Sequence, residues 1–255
     1  LLKRSFAHGS NAMKEIAIAY LKQNPIAHMD LLEGIRRGTS DIRMASSKGV
    51  LLQDQKSQVY LLSTEDPMFQ DEAFRQIQGA QMVAAHQIES AQRAQELFGY
   101  RRCIHCRQAV YEGKRPLAIH SQVRFETLSL SFLPVLEQFY SGHADREYLQ
   151  GRLEEGVMIG AFLGEYLVGF VGQHEEGSMG LLEVLPEYRG KGFGKALLAA
   201  AVNWQLERGQ IPYSQIIDGN IKSYQLHQSM GFLITPQVSV YWLAEPAKEK
   251  GRIEK

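Results

Sequence analysis

Three glycines interleaved with cations stand in the run Arg189-Gly190-Lys191-Gly192-Phe193-Gly194-Lys195. The apolar segment Leu182-Glu183-Val184-Leu185 precedes it and the Ala/Leu segment 196–202 follows, so the run reads as a turn from strand to helix. Glycine lets the backbone turn tightly and lets a ligand approach it closely. The first N–H groups of the helix lack intrahelical partners and point out of its positive end, a setting suited to an anion and above all to phosphate. A magnesium-nucleotide loop needs glycine, four residues and then Gly-Lys-Ser/Thr; the required glycine falls on Arg189, and Ala196 stands where the hydroxyl belongs. A dinucleotide fingerprint needs G-x-G-x-x-G, whereas Gly190, Gly192 and Gly194 alternate with single residues. Both readings are excluded.

The run resembles the Q/R-x-x-G-x-G/A signature of the GNAT superfamily of acyl-CoA-dependent N-acyltransferases, with Arg189, Gly192 and Gly194 in its fixed places. The flanks match too: Val184 lies two residues before Pro186, and Asn220 is followed seven residues on by His227 and four further by Gly231-Phe232. The resemblance implies that residues 189–195 grip the pyrophosphate of acetyl-CoA, that Leu182, Glu183 and Val184 line the same ligand, and that Asn220 and His227 touch its arm. It also implies a splayed strand at 182–184, whose Val184 N–H polarises the thioester carbonyl. The amine must lose a proton, for which Glu183 on that strand is the first candidate base and Asp218 and His174 are others. Where some members carry a glutamate base this chain has Gln215, which accepts no proton. The leaving thiolate needs a proton donor, and many members use a tyrosine at the position of His227. An imidazole can serve there, and Tyr224, one turn earlier on the same helix face, can substitute. The expected activity is transfer of an acetyl group from acetyl-CoA to the amine of a small molecule or amino acid within a ternary complex. A non-catalytic acyl-CoA-binding module and an acetyltransferase of peptide N-termini or lysines are the alternatives.

Lys and Arg number 28 against 28 Asp and Glu, so no bulk field favours nucleic acid or an anionic membrane as partner. The apolar run 196–202 falls far short of the about 20 residues that span a bilayer. The two cysteines, Cys103 and Cys106, have no second Cys/His pair at metal spacing and read as two thiols on a strand, so no metal is expected. So few cysteines fit a reducing cytosol, and a cytoplasmic protein without a secretory leader is expected. Ser10-Asn11-Ala12 before Met13 reads as a protease-cleavage remnant, which sets residues 1–12 aside. The oligomeric state stays open, a homodimer included.

The elements that must carry these residues follow in a readable order from residue 116. Strand 123–128, helices 132–140 and 146–154, strands 157–163, 167–172 and 179–185, the phosphate helix, strand 215–218, helix 221–230 and strand 238–243 reproduce the GNAT order over about residues 116–245. The first half shows helices at 12–23 and 26–37 and strands at 49–53 and 59–63. Strand 82–86, helix 89–98, Gly99-Tyr100 and strand 106–111 then echo the end of the second half. The expected fold is an α/β mixed sheet: a degenerate GNAT-like N-terminal lobe at 13–115 and a catalytic GNAT domain at 116–255, a tandem similar to glycine N-acyltransferase-like members.

Overall fold

The computed structural model describes residues 2–77, 79–120, 122–142 and 144–244. The first part of the chain forms α1 (Leu2–Leu21), α2 (Met29–Arg37), β1 (Ser40–Ser46), β2 (Gly49–Asp54), β3 (Tyr60–Thr64), α3 (Pro67–Ile77), β4 (Met82–Ala85), α4 (Ile88–Phe98) and β5 (Arg102–Val110). The rest forms β6 (Arg124–Thr127), α5 (Leu133–Phe139), α6 (Arg146–Glu154), β7 (Met158–Leu163), β8 (Tyr166–Gln173), β9 (Met179–Val184) and α7 (Phe193–Glu207). It ends with β10 (Tyr213–Ile217), α8 (Ile221–Ser229), β11 (Leu233–Ile234) and β12 (Val240–Ala244). The described residues cluster into two compact units, the first running to Gln108 and taking back Ile216–Asn220 and the residues from Ile234, the second holding Ala109–Gln215 and Ile221–Leu233. Thus β12, assigned by sequence to the second half, belongs to the first unit. Residues 245–255 of the expected second domain lie outside the described residues.

In the first unit the strands run β1-β2-β3-β4-β12-β5, antiparallel except for the parallel β3/β4 pair. Alternation along each strand sends side chains to two covered faces. Leu51, Leu62, Val83 and Leu243 meet Phe69, Phe74, Ala91 and Ala94 of α3 and α4. Val50, Leu52, Leu61, Ala84 and Val240 meet Ala17, Leu21, Leu31 and Ile35 of α1 and α2. Both faces being dry explains why these strands read as continuous apolar runs. Cys103 packs against the first of these clusters and Cys106 lies in the second, so the two free thiols point to opposite faces. Among the described residues no group of three His, Cys, Asp or Glu is placed to hold a metal, and no helix is long and apolar enough to cross a membrane.

The second unit orders its strands β10-β9-β8-β7-β6, with β10 contributing only its residues 213–215 and β9/β10 the parallel pair. Leu133 and Leu136 of α5 and Leu149 and Leu153 of α6 pack with Met158, Phe162, Phe170 and Leu181. Helix α7 buries the whole run Ala196–Val202 against β7, β8 and β9. This accounts for a helix that is apolar all round rather than striped.

One buried polar network in the first unit carries no sequence signature. His86 bonds through Nε2 to the Asp30 carboxylate at 2.9 Å and donates from Nδ1 to the Leu62 carbonyl at 3.1 Å. His28 donates from Nδ1 to the Leu21 carbonyl at 3.1 Å, which leaves Nε2 to accept the Ser63 hydroxyl at 2.9 Å. Burial, and then the neighbouring His86, pushes the His28 imidazole down to about 4. Its folded value lies below the 6.5 of the free group, so the unfolded chain takes up the proton first as pH falls. The stabilisation is complete above pH 6.5 and is lost as pH falls towards about 4, worth up to about 3 kcal/mol. Urea unfolding at pH 7 and pH 4.5 is therefore expected to show a loss that shrinks in His28→Gln; an equal loss in both proteins assigns the pH dependence elsewhere.

Candidate functional site

Strand β9 and its partners open a gap by backbone geometry alone. In the β8/β9 ladder Phe170 faces Glu183 and Gly172 faces Gly180, so β9 carries one extra residue there. Leu181 absorbs it at φ +53°, a conformation rare for a bulky side chain, and is buried. The Leu185 N–H donates to Val168 O at 2.9 Å, which fixes the parity of the ladder. Residues 183 and 185 face their hydrogen bonds towards β8, and Val184 between them turns its N–H and C=O to the opposite edge. On that edge β10 is registered at Ser214↔Met179, and among the described residues no further pair joins the two strands. The Val184 amide is therefore aimed at an edge on which no described strand pair reaches it. Gly169 makes the approach possible from the other side: a Cβ there would sit 2.5 Å from Glu183 O and 2.8 Å from Leu197 Cδ1. Sequence reading passed over Gly169, although an isolated glycine within a strand signals close backbone approach.

The loop after β9 passes through a short 3-10 turn at Pro186–Tyr188 and reaches α7 through two left-handed glycines, Gly190 at φ +74° and Gly192 at φ +81°. Gly192 is the N-cap of α7, and the first helical bond runs from Ala196 N to Gly192 O at 3.2 Å. The N–H groups of Phe193, Gly194 and Lys195 precede that bond and face the loop mouth. Gly194 differs from its neighbours, because its φ is ordinary and a Cβ would meet Val184 Cγ2 at an unstrained 3.7 Å. The fold does not demand glycine there. Arg189 donates from Nε to the Val184 carbonyl at 3.0 Å and from Nη2 to Glu183 Oε1 at 3.2 Å. Lys191 lies over the Tyr188 ring at 5.6 Å and donates to Glu187 O, and Tyr188 meets Phe193 edge-on. Arg189, Lys191 and Lys195 are exposed, and they stand in sequence about a helix N-terminus that no side chain caps.

A family model described as the acetyltransferase (GNAT) family matches residues 123–232, the stretch that holds β9, this loop, α7 and α8. Residues 123–232 are a GNAT acetyltransferase domain. Among solved structures, a Drosophila protein is similar at 15% identity with a TM-score of 0.65, covering 93% of this chain and 97% of its own. A protein from Novosphingobium aromaticivorans described as of the GNAT family is 15% identical with a TM-score of 0.54 over 88% and 97% of the two chains. A GCN5-related N-acetyltransferase-like protein from Streptococcus suis is 12% identical with a TM-score of 0.51 over 89% and 99%. At these identities the likeness is one of fold, and it extends over both units. No curated protein matches the sequence.

Within the GNAT domain the remaining candidate residues fall in distinct settings. Leu182 and Glu183 lie on β9 as expected. The Glu183 carboxylate is fully engaged, Oε1 by Arg189 and Oε2 by the N–H (3.3 Å) and hydroxyl (2.8 Å) of Ser141. Ser141 was not foreseen, because 42 residues separate the pair. His227 is buried in α8, donates from Nδ1 to the Ser223 carbonyl at 2.8 Å and packs edge-on against Phe232. That bond fixes the proton on Nδ1, so Nε2, buried without a hydrogen-bond partner, carries a lone pair. Burial lowers the pKa of the ring, outweighing the Ser223 bond, and keeps it neutral at pH 7. Tyr224 stands half-buried one turn earlier, and Asn220, in the first unit, precedes α8 directly. His174, at the far end of the β8/β9 hairpin, is bonded to the Tyr148 hydroxyl at 2.7 Å, and in the first unit Asp218 pairs with Arg107 at 3.2 Å.

The glycines make a stability test of this geometry. Gly169→Ala is expected to cost about 1–3 kcal/mol by forcing β9 away from β8. Gly192→Ala should cost about 1–2 kcal/mol through its left-handed backbone, whereas Gly194→Ala should stay within about 0.5 kcal/mol. Denaturant midpoints of the three variants check the order; a costly Gly194→Ala would mean that packing explains that glycine.

Proposed function

We propose that the GNAT domain transfers an acetyl group from acetyl-CoA to the amine of a small molecule or amino acid, by direct attack within a ternary complex. The observation that carries this reading is the Val184 N–H, turned by the ladder parity into the gap beside β10, on the strand that leads into the α7 N-terminus. A thioester is already activated, so the protein mainly aligns the two reactants and stabilises the developing oxyanion. The Val184 N–H is the proposed oxyanion donor, its peptide plane held by the Arg189 bond to the Val184 carbonyl. The N–H groups of residues 193–195 with Arg189, Lys191 and Lys195 form the proposed pyrophosphate grip, along which Gly190, Gly192, Phe193 and Gly194 let the ligand approach. Gly194 supports this, since no contact of the fold excludes a side chain there. Leu182 and Glu183 on β9 are further proposed contacts of the ligand, and Asn220 is the proposed contact to the CoA arm.

The amine's proton leaves through water in this reading, because Gln215 accepts none and Asp218, His174 and Glu183 are engaged by other groups. For the leaving thiolate, Tyr224 is the better donor of the two on α8. Neutral His227 has its proton committed to Ser223 and can donate from Nε2 only after taking one up, which burial opposes. Tyr224→Phe is accordingly expected to lower kcat with little change in acetyl-CoA affinity, and His227→Phe to leave kcat near wild type. The reverse result assigns the acid to His227.

We further propose that the first unit is a degenerate lobe of the same lineage that binds no CoA. Its antiparallel β1-β2-β3, parallel β3/β4 through α3, and α4 repeat the connection of β7-β8-β9, α7, β10 and α8. At the start of α3, however, Asp66 accepts the Phe69 N–H at 2.8 Å and Pro67 supplies no N–H, so a carboxylate already fills that anion position. Beside it Gln87, two residues after β4, bonds twice to β3, accepting Thr64 N at 2.8 Å and donating to Ser63 at 3.0 Å. Calorimetric titration with acetyl-CoA is expected to give one site per chain, weakened about tenfold or more by Arg189→Glu or Gly192→Val. Unchanged affinity in both variants removes the phosphate-loop assignment, and a second site surviving Arg189→Glu overturns the reading of the first unit. Thiol release over an amine panel separates the alternatives: binding without turnover favours a sensing module, and turnover on peptides alone a protein acetyltransferase.

A further inference from the structure

We propose that Glu183 is a positioning residue that ties the segment after α5 to the phosphate loop, so that occupation of the loop by CoA fixes that segment beside the reacting carbonyl. The inference rests on the acyl-CoA reading given above. Val184 turns its side chain towards Gly194 and α7, so by alternation its neighbour Glu183 faces the other side of the sheet, where α5 and α6 pack. There its two oxygens divide their work. Oε1 takes Arg189 Nη2 at 3.2 Å, and Oε2 takes the Ser141 N–H at 3.3 Å and the Ser141 hydroxyl at 2.8 Å. Tyr140, the residue before Ser141, is half-buried at the same place, and its phenol is pushed up by burial and then by the Glu183 charge.

The chain Ser141–Glu183–Arg189 thus runs from the α5/α6 side of β9 to the phosphate loop. Glu183 is only 12% exposed, whereas Arg189 is 57% exposed, so the free end of the chain is the guanidinium. A guanidinium has five N–H donors. One serves the Val184 carbonyl and one serves Glu183, and the other three are in number enough for phosphate oxygens at this exposed side chain. A pyrophosphate can bind there without breaking either existing bond, and the charge-assisted contacts it adds immobilise Arg189 and, through it, Glu183 and Ser141. A carboxylate already committed to three donors acts on the loop and not as the proton acceptor.

Amide hydrogen exchange at Ser141, measured on the full chain with and without coenzyme A, tests the coupling. Coenzyme A is expected to slow that amide several-fold in the wild type. The slowing should vanish in Glu183→Ala and in Arg189→Lys, which keeps the charge but lacks the fork, while calorimetry still detects coenzyme A binding in both. If the wild type fails to bind coenzyme A, the acyl-CoA reading falls and takes this one with it. If it binds but the Ser141 amide is unmoved, or is slowed equally in both variants, the coupling alone is overturned.

Discussion

A backbone amide that its own sheet cannot satisfy governs the GNAT domain. The extra residue at Leu181 and the parity fixed by Leu185 leave the Val184 N–H and C=O on the edge that β10 has left. The carbonyl is answered internally by Arg189, whereas the N–H is aimed into the gap. In the reading proposed above, this half-buried N–H is the donor left for the ligand. The bulge, the bare β-carbon position of Gly169, the left-handed Gly192 and the arginine that follows β9 all serve to hold that one amide in place.

The two strand-to-helix junctions that follow parallel β-pairing partners treat the helix N-terminus in opposite ways. Before α7 the chain offers glycines and cations and no capping side chain. Before α3 it offers a capping aspartate and a proline. The positive end of a short helix favours negative charge by a few tenths to one kcal/mol, which either an internal carboxylate or an external phosphate can use. The same secondary-structure event is thus capped by a side chain in one unit and left without one in the other.

Much of this was legible from residue types. The glycine loop could be read because a left-handed backbone leaves glycine as the ready choice, and the order of elements from residue 116 held because the strands and helices there are strongly apolar at their proper periods. What escaped reading did so for definite reasons. β1 has a largely polar, half-exposed pattern, and α3 opens on a proline and carries apolar residues that a strand could equally use. The Asp30–His86 and Ser141–Glu183 contacts join residues far apart in sequence, and the tautomer of His227 depends on a carbonyl one turn away. The edge of the first unit was misplaced because β12, though correctly read as a strand, pairs with β4 and β5 rather than with the strands nearest to it in sequence.

That last pairing bears on how the chain is made. β12 lies between β4 and β5, with Tyr241 opposite Ala85 on one side and His105 on the other. A ribosome that has released residues 1–110 has therefore delivered every helix of the first unit but not the strand that joins β4 to β5. Until residues 240–244 emerge, those two strands present bare, apolar edges of the kind that invite pairing with a foreign strand. The second unit, complete by residue 233, can by contrast close while the first still waits. The later-made unit thus has all its strands in hand while the earlier-made one still lacks the strand at its middle.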